Sequence, residues 1–149
     1  MRGPVLFVCR RNHCRSPMAE GAFRLAARRA GLQIECDSAG IAPEREGEAP
    51  DWRAQMVAGR HGANISGQRS RRVVADDFGR FGLILAMDRH NLDVLQRITP
   101  VGGGAHIALF MYMIKGGHGK SLRDPYCGNV GDFADCWIKI WRGVRDLIG

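Results

Sequence analysis

The segment that most constrains this chain begins with Val5-Leu6-Phe7-Val8, an unbroken apolar run between Pro4 and a polar stretch. Apolar residues that do not alternate with polar ones suit a strand covered on both faces, the environment of a parallel sheet. A helix is expected directly after it. Ser16 can serve as N-cap with Pro17 at the first helical position, and Ala19, Ala22, Phe23, Ala26 and Ala30 recur at helical spacing until Gly31 ends the run. The order then repeats. Residues 33–37 read as a second strand, 40–50 as a loop rich in Gly, Pro and Glu, and 51–60 as a helix leading to an arginine-rich connection through Arg69, Arg71 and Arg72. Residues 83–87 are a third strand, 88–98 a helix with Leu92, Leu95 and Ile98 on one side, and 105–110 a fourth strand. A last helix over 131–148 aligns Phe133, Trp137, Ile140, Val144 and Leu147. Strands alternating with helices predict an α/β three-layer sandwich around a parallel sheet.

With 149 residues, 45% apolar and 25% charged, the chain suits one domain over 1–149 with one core, and it shows no repeat or linker. Its apolar runs are far shorter than the ~18 residues that span a bilayer, so membrane insertion is not expected. The opening residues lack the long apolar region of a secretory signal, which predicts a cytoplasmic protein. Five cysteines, an odd number without small-scaffold spacing, fit free thiols in a reducing compartment. The net charge of +7 rests on 19 Arg against 3 Lys, a bias better explained by codon preference than by nucleic-acid binding. The charge does favour attraction of small anions or phosphoproteins.

In open parallel sheets, ligands bind beyond the carboxyl ends of the strands. There the chain carries Cys9-Arg10-Arg11-Asn12-His13-Cys14-Arg15-Ser16-Pro17. The backbone N–H groups of residues 10 to 15 can converge on a tetrahedral dianion, the helix dipole adds positive potential, and Arg15 can hold two oxygens at once. The same field favours negative charge on the Cys9 sulfur, and Ser16 can hydrogen-bond it, which gives a nucleophile aimed at phosphorus. Cys136 and Arg142 repeat the spacing inside the last helix, where no free N–H groups surround them, and are set aside. The string from Gly116 to Ser121 ends like a nucleotide-binding phosphate loop, but Ile114 stands where that loop needs glycine. A phosphatase also needs a proton donor. Asp124, held extended by Pro125 and beside Tyr126, leads, with Asp88 as its competitor.

Together with Asp37-Ser38-Ala39-Gly40, Asp51 with Arg53-Ala54, Arg60-His61-Gly62, Asp77-Phe78, Leu85-Ala86-Met87-Asp88 with Asn91-Leu92, and Asp124-Pro125-Tyr126, the loop resembles the low-molecular-weight protein tyrosine phosphatases across nearly the whole chain. The resemblance implies a four-stranded parallel sheet flanked by helices and a metal-independent, cofactor-free phosphomonoesterase. It implies Cys9 as nucleophile, Arg15 as phosphate clamp, Asp124 as acid then base, and Asn12, Ser16 and Ser38 as loop supports. Arg10, Arg11, Asn12, His13, Cys14, Arg15 and Ser16 would bind phosphate. Cys14 resembles the family's second cysteine, a reversible disulfide partner for Cys9, and reads equally as a buried apolar residue. Expected partners are phosphotyrosine proteins, with a bacterial tyrosine kinase among those the resemblance admits, and inorganic phosphate is the product.

The departures sit at the mouth. Arg11 stands where the family has glycine, so a positive φ there would cost about 1–2 kcal/mol unless the side chain is turned outward. His13 replaces an aliphatic or a small hydroxyl residue, and Glu44 stands near the family's aromatic wall. Cys127 replaces the aromatic residue that usually follows Tyr126. A pocket built from His13, Glu44, Trp52 and Tyr126 would be unusually polar and weaker on phosphotyrosine peptides, although Trp52 reads equally as packing at a helix start. Besides phosphotyrosine hydrolysis, the sequence admits a phosphoarginine phosphatase, an arsenate reductase on the same scaffold, and a non-catalytic phosphate-binding module.

Overall fold

A computed structural model describes residues 3–114 and 120–149. The elements are β1 Val5–Cys9, α1 Arg15–Arg29, β2 Cys36–Gly40, α2 Trp52–Arg60, α3 Asp77–Arg80, β3 Leu83–Ala86, α4 Arg89–Ile98, β4 His106–Leu109, a 3-10 turn Phe110–Met113, and α5 Val130–Ile148. The four strands form one parallel sheet in the order β2-β1-β3-β4. The predicted sheet with helices on both faces is therefore present.

Alternation along β1 decides where the thiol goes. Val5, Phe7 and Cys9 face one core with α1, α2 and α5, while Leu6 and Val8 face the other with Phe78, Phe81, Ile84 and Leu95. Phe7 anchors the first core, its ring 5.6 Å from Phe23 and 6.0 Å from Phe110. Cys9 shares that parity, so its side chain emerges toward the start of α1 rather than toward α4.

Several boundaries differ from expectation. The second strand lies later than predicted, over Cys36–Gly40, because its parallel register sets Ser38 opposite Phe7 and Gly40 opposite Cys9. A weak local alternation could not specify that pairing. Helix α1 starts at Arg15 with Cys14 at the cap position and no side-chain cap bond, so Ser16 is not the N-cap. Its hydroxyl is engaged by Cys9 and Asn12 instead. Ala30 and Ile98 were expected on buried faces but are exposed, since each lies at the last turn of its helix, beyond the sheet's cover. Helix α3 was not foreseen. Its four residues are too few to show a period. The glycine string at 116–119 lies outside the described residues.

Gly40 ends β2 directly against the loop after β1. A Cβ there would lie 2.9 Å from the Arg10 carbonyl oxygen, 2.9 Å from the Arg11 carbonyl carbon and 3.0 Å from the Asn12 nitrogen. Backbone atoms cannot swing aside as a side-chain tip can. Gly40→Ala is expected to destabilise the fold by about 1–3 kcal/mol, read as a lower urea midpoint at unchanged slope.

Candidate active site

The loop between β1 and α1 is held by its carbonyls. Ile41 N–H donates to the Cys9 carbonyl at 3.1 Å, Ala42 N–H to Arg10 at 2.8 Å, and Asp51 N–H to His13 at 2.9 Å. Met18 N–H donates to Cys14 at 3.2 Å and Ser70 Oγ to Arg11 at 3.0 Å. Among the described residues, no backbone N–H from Arg10 to Cys14 donates to a protein acceptor. Carbonyls pulled outward turn the N–H groups inward, and buried donors left over in this way need an anion or water. The uncapped N-terminus of α1 adds its dipole to the same point. Cys9, only 3% exposed, sits beneath, with Sγ 3.0 Å from Ser16 Oγ.

A buried polar network keeps the loop in this shape. Asn12 is the one non-glycine residue at positive φ, 55°, among the described residues. Its Nδ2 donates to Ser16 Oγ at 2.9 Å and Ser38 Oγ at 3.0 Å, and its Oδ1 accepts from Arg71 N–H at 3.0 Å. Ser38 in turn donates to Glu20 Oε1 at 2.7 Å, and Arg71 continues to Asp37 and Asp77. Burial raises the Glu20 pKa above the ordinary carboxylate value against the pull of Ser38 and Arg24. The three expected loop supports, Asn12, Ser16 and Ser38, are thus joined. Glu20 and Arg71 were not assigned from sequence. Only the fold brings them under the loop.

Arg15 is 3% exposed and holds the other strand ends to the site. Its NH1 donates to Asp88 Oδ2 at 2.8 Å and to the Leu122 carbonyl at 2.9 Å, and its NH2 is 3.6 Å from Asp124 Oδ2. Burial opposes the Arg15 charge, but Cys9, Asp88 and Asp124 outweigh it and raise the guanidinium above its ordinary pKa. Asp88 caps α4 through Oδ1, which accepts from Asn91 N–H at 2.8 Å. Both its oxygens are therefore committed. Asp124 Oδ1 accepts from Tyr126 N–H at 3.1 Å, and its side chain is 38% exposed at the cleft rim. Leu122 N–H ties this segment to the Met87 carbonyl at 2.7 Å. Arg53, itself gripped by Asp51, donates to the Tyr126 carbonyl at 3.0 Å and the Gly128 carbonyl at 2.8 Å. No role was assigned to Arg53 from sequence, since its partners lie more than seventy residues away.

Cys9, Arg11, His13, Cys14, Arg15, Asp124 and Tyr126 line one narrow cleft. Arg11 does not adopt positive φ, so the expected strain is absent. Its guanidinium turns outward, Cζ lying 4.9 Å from the centre of the Tyr126 ring and Nε 3.3 Å from Glu44 Oε1. Glu44 therefore does belong to the mouth, as Arg11's partner. Trp52 does not line the Cys9 cleft, a correction to the expected pocket. It is the first residue of α2, 65% exposed, and faces an open groove with Arg45 and Arg69, so it does not pack at the helix start either. Arg10 is exposed and reaches the loop centre through its backbone only. Burial lowers the His13 pKa, partly offset by Asp51 3.9 Å away, and burial raises that of Cys14. Every cysteine is free, and Cys127 and Cys136 share a separate hollow of about 180 Å³ behind Asp124. That shared wall was not apparent from their spacing.

Phosphoryl transfer to sulfur needs a thiol beneath converging donors, and this geometry places the molecule among the cysteine-dependent phosphatases, which need no metal. A family profile described as low molecular weight phosphotyrosine protein phosphatase matches residues 4–149. The protein of that name from Schizosaccharomyces pombe is 38% identical over 139 residues, covering 91% of this chain and 88% of the relative. The protein tyrosine phosphatase of Entamoeba histolytica superposes with a TM-score of 0.91 at 30% identity, covering 98% of this chain and 94% of its own. A Drosophila arginine phosphatase superposes at 0.90 with 31% identity, covering 99% and 96%. The chain belongs to the low molecular weight phosphotyrosine protein phosphatase family. No described helix is long and apolar enough to cross a membrane.

Two outcomes test this geometry. Asn12→Ala leaves a positive φ without its hydrogen bonds and is expected to destabilise by roughly 2–4 kcal/mol, more than Asn12→Gly, in urea titrations. His13 takes up its proton less readily in the fold than in the unfolded chain, where it titrates near 6.5. Its contribution is complete above that pH and is lost as pH falls below it. Between pH 7 and 5 the wild type should therefore lose stability more steeply than His13→Asn.

Proposed function

We propose that the cleft hydrolyses phosphotyrosine in proteins, with Cys9 as nucleophile, Arg15 and the N–H groups of residues 10–15 holding the phosphoryl oxygens, and Asp124 as acid and then base. The observation that carries this reading is the loop above Cys9, in which the carbonyls of Cys9, Arg10, Arg11, His13 and Cys14 accept hydrogen bonds while the N–H groups of Arg10 to Cys14 have no protein acceptor. A phosphoryl group seated there has its phosphorus in line with the sulfur and its leaving oxygen toward Asp124.

The Cys9 thiolate attacks phosphorus, the bond to the tyrosyl oxygen breaks, and Asp124 delivers a proton to that oxygen. Ser16, 3.0 Å from Sγ, stabilises the thiolate before attack and as it leaves. Asp124 then takes a proton from water, whose oxygen displaces Cys9 from the cysteinyl phosphate and releases inorganic phosphate. Asp124 suits this work better than Asp88, because Asp124 lines the Cys9 cleft and its Oδ2 is only loosely approached by Arg15 at 3.6 Å, whereas both Asp88 oxygens are hydrogen-bonded, by Arg15 and Asn91. Arg15 and the loop amides stabilise the spreading charge. Asn12, Ser16 and Ser38 keep the loop in shape, and Cys14, in the same cleft, traps an oxidised Cys9 as a disulfide. A bacterial tyrosine kinase is one phosphoprotein of the required chemistry, met in the cytoplasm.

Phosphoarginine hydrolysis is the second reading, favoured by the similarity to the Drosophila arginine phosphatase. Against it, Arg11 already occupies the face of Tyr126 and the carboxylate of Glu44, where a substrate cation would rest. The test compares phosphotyrosine and phosphoarginine peptides. Turnover of phosphotyrosine should exceed that of phosphoarginine, vanish in Cys9→Ser, and fall by about 10²–10⁴ in kcat in Asp124→Asn. A preference for phosphoarginine would overturn the substrate, and unchanged turnover in Cys9→Ser would overturn the mechanism.

A further inference from the structure

The mouth of the cleft is more elaborate than phosphate chemistry requires. Arg11 Nε is shielded from solvent and has no hydrogen-bond partner, because Glu44 approaches at 3.3 Å without hydrogen-bond geometry. The Glu44 side chain is 62% exposed, on the loop between β2 and α2, so it can leave Arg11 without disturbing the core. His13 Nδ1, on a side chain nine-tenths buried, also lacks a partner. Arg11 and His13, with Glu44, Arg45 and Tyr126, line a second hollow that shares Arg11, His13 and Tyr126 with the Cys9 cleft. Beyond it, an open groove of about 480 Å³ continues past His13 and Arg45 to Arg69.

The charges around this path are not balanced evenly. Asp51 is locked on Arg53 by hydrogen bonds of 2.8 to 3.0 Å. Glu48 lies 3.9 Å from Arg45, a loose surface pair. A chain segment whose phosphotyrosine enters the Cys9 cleft therefore runs beside Arg11 and Arg45. A guanidinium presents two parallel N–H groups along its Nε edge, the geometry that a carboxylate fills in two bonds at once. Glu44 does not supply that geometry.

We propose that Arg11 is a specificity-determining residue that reads an acidic side chain next to the phosphotyrosine, with Glu44 as a displaceable internal stand-in. This rests on the phosphotyrosine reading above. The substrate carboxylate replaces Glu44 on Arg11, Arg45 adds attraction at longer range, and a lysine at the same place is repelled by both. The substrate class is thus a phosphotyrosine segment flanked by glutamate or aspartate.

The experiment measures kcat/KM for two synthetic phosphotyrosine peptides, identical except for glutamate or lysine at the residues on either side. Each enzyme's preference is a ratio, so changes in its overall activity cancel. The wild type should favour the glutamate peptide by about fivefold at low salt, with the ratio shrinking in high salt. Arg11→Gly should bring it near unity and Arg11→Glu should invert it. Glu44→Gln, at an exposed position that cannot compromise folding, should raise it by about twofold because the internal competitor is gone. Equal turnover of both peptides by the wild type, or a preference that survives Arg11→Gly, overturns this inference and leaves the phosphotyrosine reading standing. Failure to hydrolyse either peptide overturns both.

Discussion

The structure depends on one division of labour in the backbone after β1. Five carbonyls, those of Cys9, Arg10, Arg11, His13 and Cys14, accept hydrogen bonds from the surrounding chain, and the N–H groups of Arg10 to Cys14 face the other way. A convergent array of N–H dipoles is costly to hold, because like ends of the dipoles repel. Its cost is offset by the outward bonds, which come from the β2–α2 loop, from Ser70 and from α1. The fold around the loop thus acts as a mould that keeps donors converged before any anion arrives, and electrostatic stabilisation of a transition state requires that preorganisation.

The side chains beneath the loop extend the same principle. Asn12 occupies a left-handed conformation that an ordinary side chain would resist, and its amide is bonded on three sides. Ser38 and Glu20 form one arm of that network and Arg71 the other, so β2, α1 and α3 all report on the loop's position. Arg15 and Arg53 do similar work for the segment carrying Asp124 and Tyr126, tying it to loops that are remote in sequence. Few of these arginines are free surface charges. The exposed arginines elsewhere on the chain carry most of its positive charge.

The mouth follows a different logic. Arg11 is accommodated because its backbone stays in an ordinary conformation while Asn12 takes the unusual one. The long side chain then finds the Tyr126 ring and Glu44, filling the place where an aromatic wall was missing from the sequence. This contact sets the polarity of the entrance while the loop around Cys9 keeps its own hydrogen bonds.

The alternation of apolar runs and helical periods sufficed for the layers and the parallel sheet, and the run from Cys9 to Ser16 sufficed for the site's floor. Both are local signals: side-chain periodicity follows from backbone geometry, and a strand–loop–helix junction needs only neighbouring residues. The position of β2 and the loop partners Glu20, Arg53 and Arg71 were not legible, because each is defined by a group far away along the chain, and the start of α1 was not, because the loop takes the Ser16 hydroxyl for itself. Trp52 shows the limit most clearly, since it lines an open groove beside Asp51 and takes no part in the Cys9 cleft. Sequence alone determined which atoms could perform phosphoryl transfer. Tertiary structure decided which of them meet and what guards the entrance, since hydrogen bonds and ion pairs between distant segments form only once the sheet has set their register.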